Sequence, residues 1–407
     1  MEFRPIISAM RRNKVGAILI AVQMAITLAI LCNALFLIEQ RIALSQRPTG
    51  ADEANVVVIE NQWVGNPPDL SARMQGDLAA LRSLPGVQDA FSTNTYPMSG
   101  GGSTTGLSLQ ADQKNATALA SLYFGDEHAI AGLGLKLIAG RNFNSDEVVD
   151  KAGYTDITPP AGIIVTRALA DKLFPNGNAA GQSVYEGKDQ MPIVGVVDRL
   201  QVPWVGASGW GSKFNDNSII APFHFLSSYP TFYLVHTQPG QAAPVMQAAQ
   251  KKLFDISRAR VIGKALTLSA ARAEAYKNDK GLVVILGVVC ASLVAVTSFG
   301  IVGLTSYWVA QRRRQIGIRR ALGATRNAII QYFQTENLLI AAAGAAIGVA
   351  LAVSLNLWMV NAFAMQRLNT GYTLVGAIIV LLLGQVAVLW PALKAASIPP
   401  ALATRAA

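Results

Sequence analysis

One short segment of the sequence concentrates positive charge. Residues 312–326, "RRRQIGIRRALGATR", hold six arginines and no acidic residue. A guanidinium group binds carboxylates and phosphates well, but at the centre of a bilayer each arginine would cost about 2.5–3.5 kcal/mol. The segment must therefore lie outside the hydrocarbon, and the chemistry open to it is the binding of acidic groups.

The same segment has the pattern of a short amphipathic helix followed by a break. Its apolar stripe consists of Ile316, Ile318, Ala321 and Leu322, and arginines occupy the other faces. Gly323 is predicted to end this helix, and Thr325 to cap the next one, over 327–333. A helix of this kind can lie on anionic lipid, at about 1 kcal/mol per basic residue, or dock on a cytoplasmic protein.

Long apolar stretches flank the arginine segment. The chain is 52% hydrophobic and 14% charged, whereas soluble domains are about one quarter charged. Four stretches reach the roughly 20 residues needed to cross a bilayer: 15–38, 281–310, 337–363 and 372–393. The sequence therefore predicts a membrane protein with four spans, the first of them an uncleaved anchor.

The charge distribution predicts how the chain is oriented in the membrane. The net charge is +10, yet residues 39–280 hold 21 basic and 22 acidic side chains. The excess positive charge lies before the first span, between the second and third spans, and in the tail. Because positively charged loops stay in the cytoplasm, we expect both termini inside and residues 39–280 outside. The charge then reflects topology, and no nucleic-acid partner is expected.

The predicted fold is a four-span α-helical transmembrane domain with a large α+β domain inserted between spans 1 and 2. The α+β domain is assigned from alternating strand patterns and amphipathic stretches. Its clearest strands are 55–60, 191–198 and 231–237. Its clearest helices lie in the stretch 70–87, ended by Pro85-Gly86, in the stretch 166–175, stopped by Pro175, and over 242–256. The predicted divisions are residues 1–38 (cytoplasmic N-terminus and first span), 39–280 (external domain) and 281–407 (three spans, coupling segment 311–334 and cytoplasmic tail).

The third span carries two features suited to packing or contact. Gly344 and Gly348 form a G-x-x-x-G motif, which permits close approach of another helix from the same chain or from a second subunit. Glu336 lies at the start of the span, where a helix N-terminus favours an anion. It is either an interfacial acid or a contact for the arginine segment.

No catalytic, cofactor or metal site is predicted. The sequence has three histidines, His128, His224 and His236, and neither an H-E-x-x-H nor a nucleophile-elbow pattern. It also lacks the G-x-x-x-x-G-K-[ST] motif of an ATPase. The chain is therefore not expected to be an enzyme.

Several segments resemble one family in the same order. The arginine segment with the following span, "RRRQIGIRRALGATRNAIIQYFQTENLLIAAAGAAIGVALA" (312–352), and "WPALKAASIPPALATR" (390–405) resemble MacB/FtsX-type ABC transporter permeases. Within residues 39–280, "LGLKLIAGRNFNSDE" (133–147) and "IIVTRALADKLFPNGNAAGQSVY" (163–185) resemble the MacB-like periplasmic core domain.

The resemblance implies a bacterial inner-membrane permease subunit that exports a periplasmic substrate. ATP and Mg²⁺ would bind a separate ATPase subunit, and two permease subunits, alike or different, would pair above it. A periplasmic adaptor and an outer-membrane duct are expected partners. The alternatives within the family are a lipoprotein-releasing permease and a non-transporting FtsX-like regulator of a cell-wall hydrolase.

The resemblance also assigns a role to the arginine segment, which would ride on the ATPase and transmit its motion. The coupling residues are Arg312, Arg313, Arg314, Gln315, Ile316, Gly317, Ile318, Arg319, Arg320, Ala321, Leu322 and Gly323. The family usually has glutamate where this chain has Gln315. An ion pair made by that glutamate would be lost here, which favours a non-identical partner permease.

Overall fold

The structure is a computed structural model that describes residues 14–399 except 66, 155, 157, 206–213, 215, 228 and 364–366. The chain divides into two compact units. The helical unit comprises Met1–Ala43 and Asp279–Ala407, and the α+β domain comprises Leu44–Asn278.

The secondary structure follows the sequence in two blocks. In chain order the helices are α1 (Lys14–Ser45), α2 (Leu70–Arg82), α3 (Ala129–Leu133), α4 (Arg167–Leu173), α5 (Ala242–Ile256), α6 (Leu268–Ala275), α7 (Lys277–Gln311), α8 (Arg313–Ala321), α9 (Arg326–Phe363) and α10 (Thr370–Ala396). The strands are β1 (Val56–Trp63), β2 (Val87–Thr93), β3 (Ser103–Leu107), β4 (Ala118–Gly125), β5 (Leu137–Gly140), β6 (Val149–Ala152), β7 (Ile163–Thr166), β8 (Ser183–Glu186), β9 (Asp189–Val197), β10 (Ser218–Leu226), β11 (Thr231–Thr237) and β12 (Arg260–Thr267).

Four helices of the described chain, α1, α7, α9 and α10, are long and apolar enough to cross a membrane. Each predicted span lies within one of them. The helix predicted over 327–333 and the third span are one continuous helix, α9, because no glycine or proline interrupts the chain between them. The shortest of the four, α10, has 27 residues, so it extends about 40 Å at 1.5 Å per residue.

The helical unit has a core of small and aliphatic side chains contributed by all four long helices. Ile20, Met24 and Leu28 of α1 are fully buried among residues such as Ile340 of α9 and Val388 of α10. Polar contacts supplement this packing. The hydroxyls of Thr27 and Thr297 lie 2.7 Å apart and join α1 to α7.

The first sheet of the α+β domain is antiparallel, with strand order β12-β1-β11-β2. Side chains of β1 alternate between its faces, as expected for a strand buried on both sides. Val57 and Ile59 pack with α2 and α5. Val56 and Val58 pack on the other face with residues of the second sheet, including Ile220.

The second sheet has eight strands, with the path β3-β4-β10-β7-β9-β5, β6 beside β10 and β8 beside β9. It mixes parallel pairs, such as β10 with β4, and antiparallel pairs, such as β10 with β7. The confirmed fold is therefore the predicted one, four apolar helices with an inserted α+β domain.

One predicted helix in the domain ends slightly earlier than expected. The helix in the stretch 70–87 was predicted to end at Pro85-Gly86, and α2 ends at Arg82, before β2 begins at Val87. Pro85 disfavours helical geometry in the residue before it. Gly86 then adopts a φ of 84°, which turns the chain into the strand.

Candidate functional site

The arginine segment folds into the short helix α8 and a turn into α9. Gly323 has a φ of 96°, a conformation that glycine adopts without strain. The hydroxyl of Thr325 then accepts a hydrogen bond of 3.2 Å from the backbone N–H of Ala328, as an N-cap does. The predicted break and cap are both present, so the segment is a helix–turn–helix.

The predicted apolar stripe required the apolar residues of α8 to lie on one buried face, and they do not. Ile316 and Gly317 are buried, whereas Ile318 is 48% exposed and Leu322 82% exposed. The reason is angular, because Ile318 follows Ile316 by two residues and lies about 200° away around the helix. Ile318, Leu322 and the exposed Ala321 form a free apolar edge.

A buried ion pair fixes the start of α8. The Arg312 guanidinium donates to both carboxylate oxygens of Glu336, at 2.8 and 3.1 Å. Their side chains are only 13% and 3% exposed. Glu336 lies one helical turn past Tyr332 in α9, so the pair joins the beginning of α8 to the side of α9. Glu336 is therefore in contact with the arginine segment.

Two further arginines bind within the chain. Arg320 donates to the carbonyl oxygens of Ala396 and Ile398, at 3.0 and 2.7 Å. These carbonyls lie at the C-terminal end of α10, where a cation is favoured. Arg319 lies over the ring of Tyr332, 5.0 Å from its centroid, in cation–π geometry.

The other arginines of the segment are free to bind elsewhere. Arg313, Arg314 and Arg326 are exposed, and none forms an ion pair with another described residue. Gln315 is also exposed and lines a shallow pocket of about 20 Å³ with Arg312 and Arg319. A carboxylate at position 315 would therefore share this pocket with two guanidinium groups.

Gly344 and Gly348 bring α9 against α1. A Cβ atom at Gly344 would lie 2.7 Å from the carbonyl oxygen of Ala21, and one at Gly348 would lie 2.9 Å from that of Ala25. Both distances are too short for real Cβ atoms, so only glycine permits this approach. In this structure the G-x-x-x-G motif serves packing inside the chain.

The three histidines of the α+β domain all lie beside aspartates. His236 is 3.3 Å from Asp52, and His128 is 2.8 Å from Asp89. His224 lies 3.8 Å from Asp126 and 3.3 Å from Asp150. Burial lowers the pKa of His224, but the hydrogen bonds and charges of the two aspartates outweigh this and raise it above its ordinary value. No group of residues suited to holding a metal ion occurs among the described residues.

Two known families match successive parts of the chain. Residues 15–253 match the family described as MacB-like periplasmic core domain, and residues 287–400 match the FtsX-like permease C-terminal family. The chain belongs to the MacB/FtsX-type permease family. The resemblance drawn from the sequence is thereby confirmed, and the protein is a membrane protein of ABC transporter permease type.

Relatives of this permease include proteins with ATP-binding regions. The macrolide export ATP-binding/permease protein MacB of Neisseria meningitidis serogroup A is 24% identical over 286 residues, which cover 67% of this chain and 40% of that protein. The pyoverdine export ATP-binding/permease protein PvdT of Pseudomonas entomophila is 27% identical over 201 residues, covering 47% of this chain and 29% of that protein. The permease thus spans 40% or less of the length of these two relatives.

Among solved structures, the periplasmic region of MacB from Actinobacillus actinomycetemcomitans is similar to this permease. It is 16% identical, and the match covers 55% of this chain and 94% of that one with a TM-score of 0.34.

The sequence predicted the short helix, the break and Glu336 as a possible contact of the arginine segment, but it did not predict the partners of Arg319 and Arg320. Arg320 binds carbonyl groups 76 and 78 residues away, and no local pattern indicates that pairing. The histidine–aspartate contacts were likewise missed, because His224 and Asp126 meet only after β10 pairs with β4. The twelve predicted coupling residues, 312–323, remain a prediction.

Proposed function

We propose that this chain is the permease subunit of a MacB-like ABC transporter that exports a periplasmic substrate. A separate ATPase subunit binds ATP and Mg²⁺ and moves α8. The helical unit transmits that motion to the α+β domain through α1 and α7, the helices by which the chain enters and leaves the domain.

The construction of α8 carries this proposal. Its start is held to α9 by the Arg312–Glu336 pair, and its end is held to α10 by Arg320. A helix fixed at both ends moves its neighbours when it is pushed. A helix that merely rested on lipid would not need two buried or half-buried attachments.

The free edge of α8 supplies a surface for the ATPase. Leu322 and Ile318 expose apolar area, and Arg314 lies one helical turn before Ile318. Arg313 and Arg314 are exposed and have no ion-pair partner in the described chain. An apolar anchor with neighbouring arginines is typical of protein interfaces. The partner surface is accordingly a cleft with an apolar floor and acidic walls.

Orientation follows from the charge distribution. Basic residues flank the membrane helices on the side of α8, whereas residues 39–280 are nearly neutral. The positive-inside rule then favours a cytoplasmic α8 and a periplasmic α+β domain, in the inner membrane. A second permease subunit, a periplasmic adaptor and an outer-membrane duct complete the proposed assembly.

Cross-linking at Leu322 tests the docking of α8. The chain has only two cysteines, Cys32 and Cys290, both buried, so a cysteine-free background is available through alanine substitutions. Leu322→Cys, treated with a thiol cross-linker in native membranes, should capture an ATPase identifiable by mass spectrometry. Lys188→Cys, on an 81% exposed side chain of the α+β domain, is the matched control and should capture none.

The partners that copurify with the tagged chain distinguish the members of the family. An ATPase with an adaptor and an outer-membrane duct supports export. An ATPase with a lipoprotein carrier would instead indicate a lipoprotein-releasing permease. An ATPase with a cell-wall hydrolase would indicate an FtsX-like regulator. Absence of any ATPase from both the copurification and the Leu322→Cys product would overturn the proposal.

A further inference from the structure

The α+β domain contains a cavity that the proposed transport mechanism does not use. It lies at the second sheet, among β3, β4, β10 and the residues Tyr154, Asp156 and 158–160, and its volume is about 450 Å³. Sites for small organic molecules usually have volumes of about 300–1,000 Å³. The cavity is thus large enough for a compact ligand with one or two rings.

The floor of the cavity is apolar and rigid. Phe124, Phe223, Ile219 and Met191 line it, and each is at most 3% exposed. The rings of Phe124 and Phe223 pack edge to face with centroids 5.5 Å apart, so they fix one another. Such a floor favours the flat face of an aromatic or aliphatic body.

A buried lysine supplies the charge in this cavity. Lys151 of β6 lines it and is 8% exposed. Its ammonium lies 4.7 Å from the centroid of the Phe223 ring and donates to the backbone carbonyl of Asp156. An ammonium has three donors, and within the described part of the chain this is its one hydrogen bond.

The carboxylate of Asp156 forms no ion pair with Lys151, although the ammonium binds the backbone carbonyl of the same residue. The carboxylate of Asp156 accepts hydrogen bonds from the hydroxyl and N–H of Thr158 and from the N–H of Ala152, at 2.6, 2.9 and 3.1 Å. These bonds, those from Thr158 above all, lower the pKa of Asp156 to about 2, and the positive charge of Lys151 adds to this effect. The carboxylate therefore acts on Lys151 across a distance, while its hydrogen bonds hold its own loop and leave the ammonium without a bound carboxylate.

Two other acids, Glu186 and Asp189, line the cavity but are exposed. Glu186 also accepts a hydrogen bond from the hydroxyl of Thr105. Water and salt screen exposed charges, whereas a charge that is nine-tenths buried is screened far less. A buried ammonium without a carboxylate partner is also costly until a ligand provides one. Lys151 therefore decides which ligand charge is favoured.

From this arrangement we propose that the cavity is a binding site for a small organic carboxylate with an aromatic or aliphatic body. The carboxylate lies at the ammonium of Lys151, and the body lies against Leu122 and Tyr154, the more accessible apolar residues of the lining, above Phe124. The site is independent of α8 and of the proposed ATPase partner, because it is built from residues of the α+β domain alone.

Three probes of one shape and different charge test the proposal on the full chain in lipid nanodiscs. They are 1-naphthaleneacetate, the neutral 1-naphthaleneacetamide and the cationic 2-(1-naphthyl)ethylammonium. Binding is measured by equilibrium dialysis, with empty nanodiscs to subtract partition into lipid. We expect saturable binding of the acid, and affinity for the amide lower by about tenfold or more, as loss of a charge-assisted hydrogen bond requires.

Variants then test whether the preference for the acid over the amide depends on Lys151. Lys151→Met should reduce the affinity for the acid to that for the amide, and Lys151→Arg should retain the preference. The exposed Lys188 provides the control, since Lys188→Met leaves all three affinities unchanged.

The comparison of the three probes on the unaltered protein needs no variant, so it stands even where Lys151→Met fails to fold. Equal or tighter binding of the cation, or no saturable binding of the acid at millimolar concentration, would overturn the proposal. A preference for the acid that persists in folded Lys151→Met would overturn it as well. None of these results bears on export, because no ATPase is present.

Discussion

Burial, not distance, determines how much stability the α+β domain loses when one member of an ion pair is removed, and two pairs of this domain allow the comparison. Asp77 of α2 and Arg260 of β12 form a bidentate pair at 2.7 and 2.9 Å, with side chains 0% and 1% exposed. Tyr233 donates a further hydrogen bond of 2.7 Å to Asp77. Lys264 and Glu274 are closer, at 2.6 Å, but 60% and 59% exposed.

The perturbation is Asp77→Asn, which keeps the shape but leaves the Arg260 charge buried without its partner. Removing one member of a buried pair costs about 3–5 kcal/mol. For a domain of this size each kcal/mol lowers Tm by about 2–4 °C, so we expect Tm to fall by about 6–20 °C. The exposed pair contributes about 0–1 kcal/mol, and Lys264→Ala should lower Tm by about 4 °C at most.

Thermal unfolding of the full chain in detergent provides the assay. Tryptophan emission is suitable, because Arg260 lies 4.1 Å from the centroid of the Trp63 ring, so that the emission of Trp63 is sensitive to the state of the ion pair. The double variant Asp77→Leu/Arg260→Met removes both charges and should recover most of the loss. If Asp77→Asn and Lys264→Ala lower Tm equally, the reasoning from burial is refuted.

Three further predictions concern residues described above. The pKa of His224 is higher in the folded protein than its ordinary value of about 6.5 in the unfolded chain. Its contacts with the aspartates therefore stabilise the fold fully at pH values below about 6.5, and this stabilisation is lost as the pH rises through the folded-state pKa. His224→Gln should therefore lower Tm at pH 5.5 and have little effect at pH 8.5; an equal loss at both pH values would contradict this. Gly344→Ala should destabilise the helical unit by about 1–3 kcal/mol, because the added methyl group clashes with Ala21. The control is Gly303→Ala, where a Cβ meets no atom within 4 Å. It should leave the stability unchanged or raise it when both variants are denatured under the same conditions. Arg320→Ala should accelerate hydrogen exchange at the end of α10 by about tenfold, for loss of about 1.4 kcal/mol of hydrogen bonding, and unchanged exchange would show that this arginine does not hold α10.

The sequence predicted those features that depend on local composition. Spans follow from the length of apolar runs, and the turn at Gly323 and Thr325 follows from residue types that favour a break and a cap. The exposure of Ile318 could have been predicted as well, from its angular distance to Ile316. The pattern was instead interpreted as one stripe because both residues are apolar.

Features that depend on distant pairing could not be predicted in the same way. Strand β1 pairs with β11 and β12, and its partner residues lie 170 or more positions away. Glu336 could be considered as a partner of the arginine segment because it starts the third span and because the family resemblance implies an acid at that position. The attachment of Arg320 to α10 and the cavity beside Lys151 both require the folded chain to bring separate segments together.

The membrane helices differ in how deeply their side chains are buried, and this restricts which substitutions each helix can accept. Met24 and Leu28 of α1 are fully buried and press on Gly344 and Gly348, so a larger or smaller side chain at these positions requires a compensating change in α9. Val284 and Phe299 of α7 are 65% and 75% exposed, and any apolar side chain satisfies a surface in contact with lipid. Over evolutionary time we expect α1 and α9 to change in concert, and the exposed face of α7 to vary freely among apolar residues.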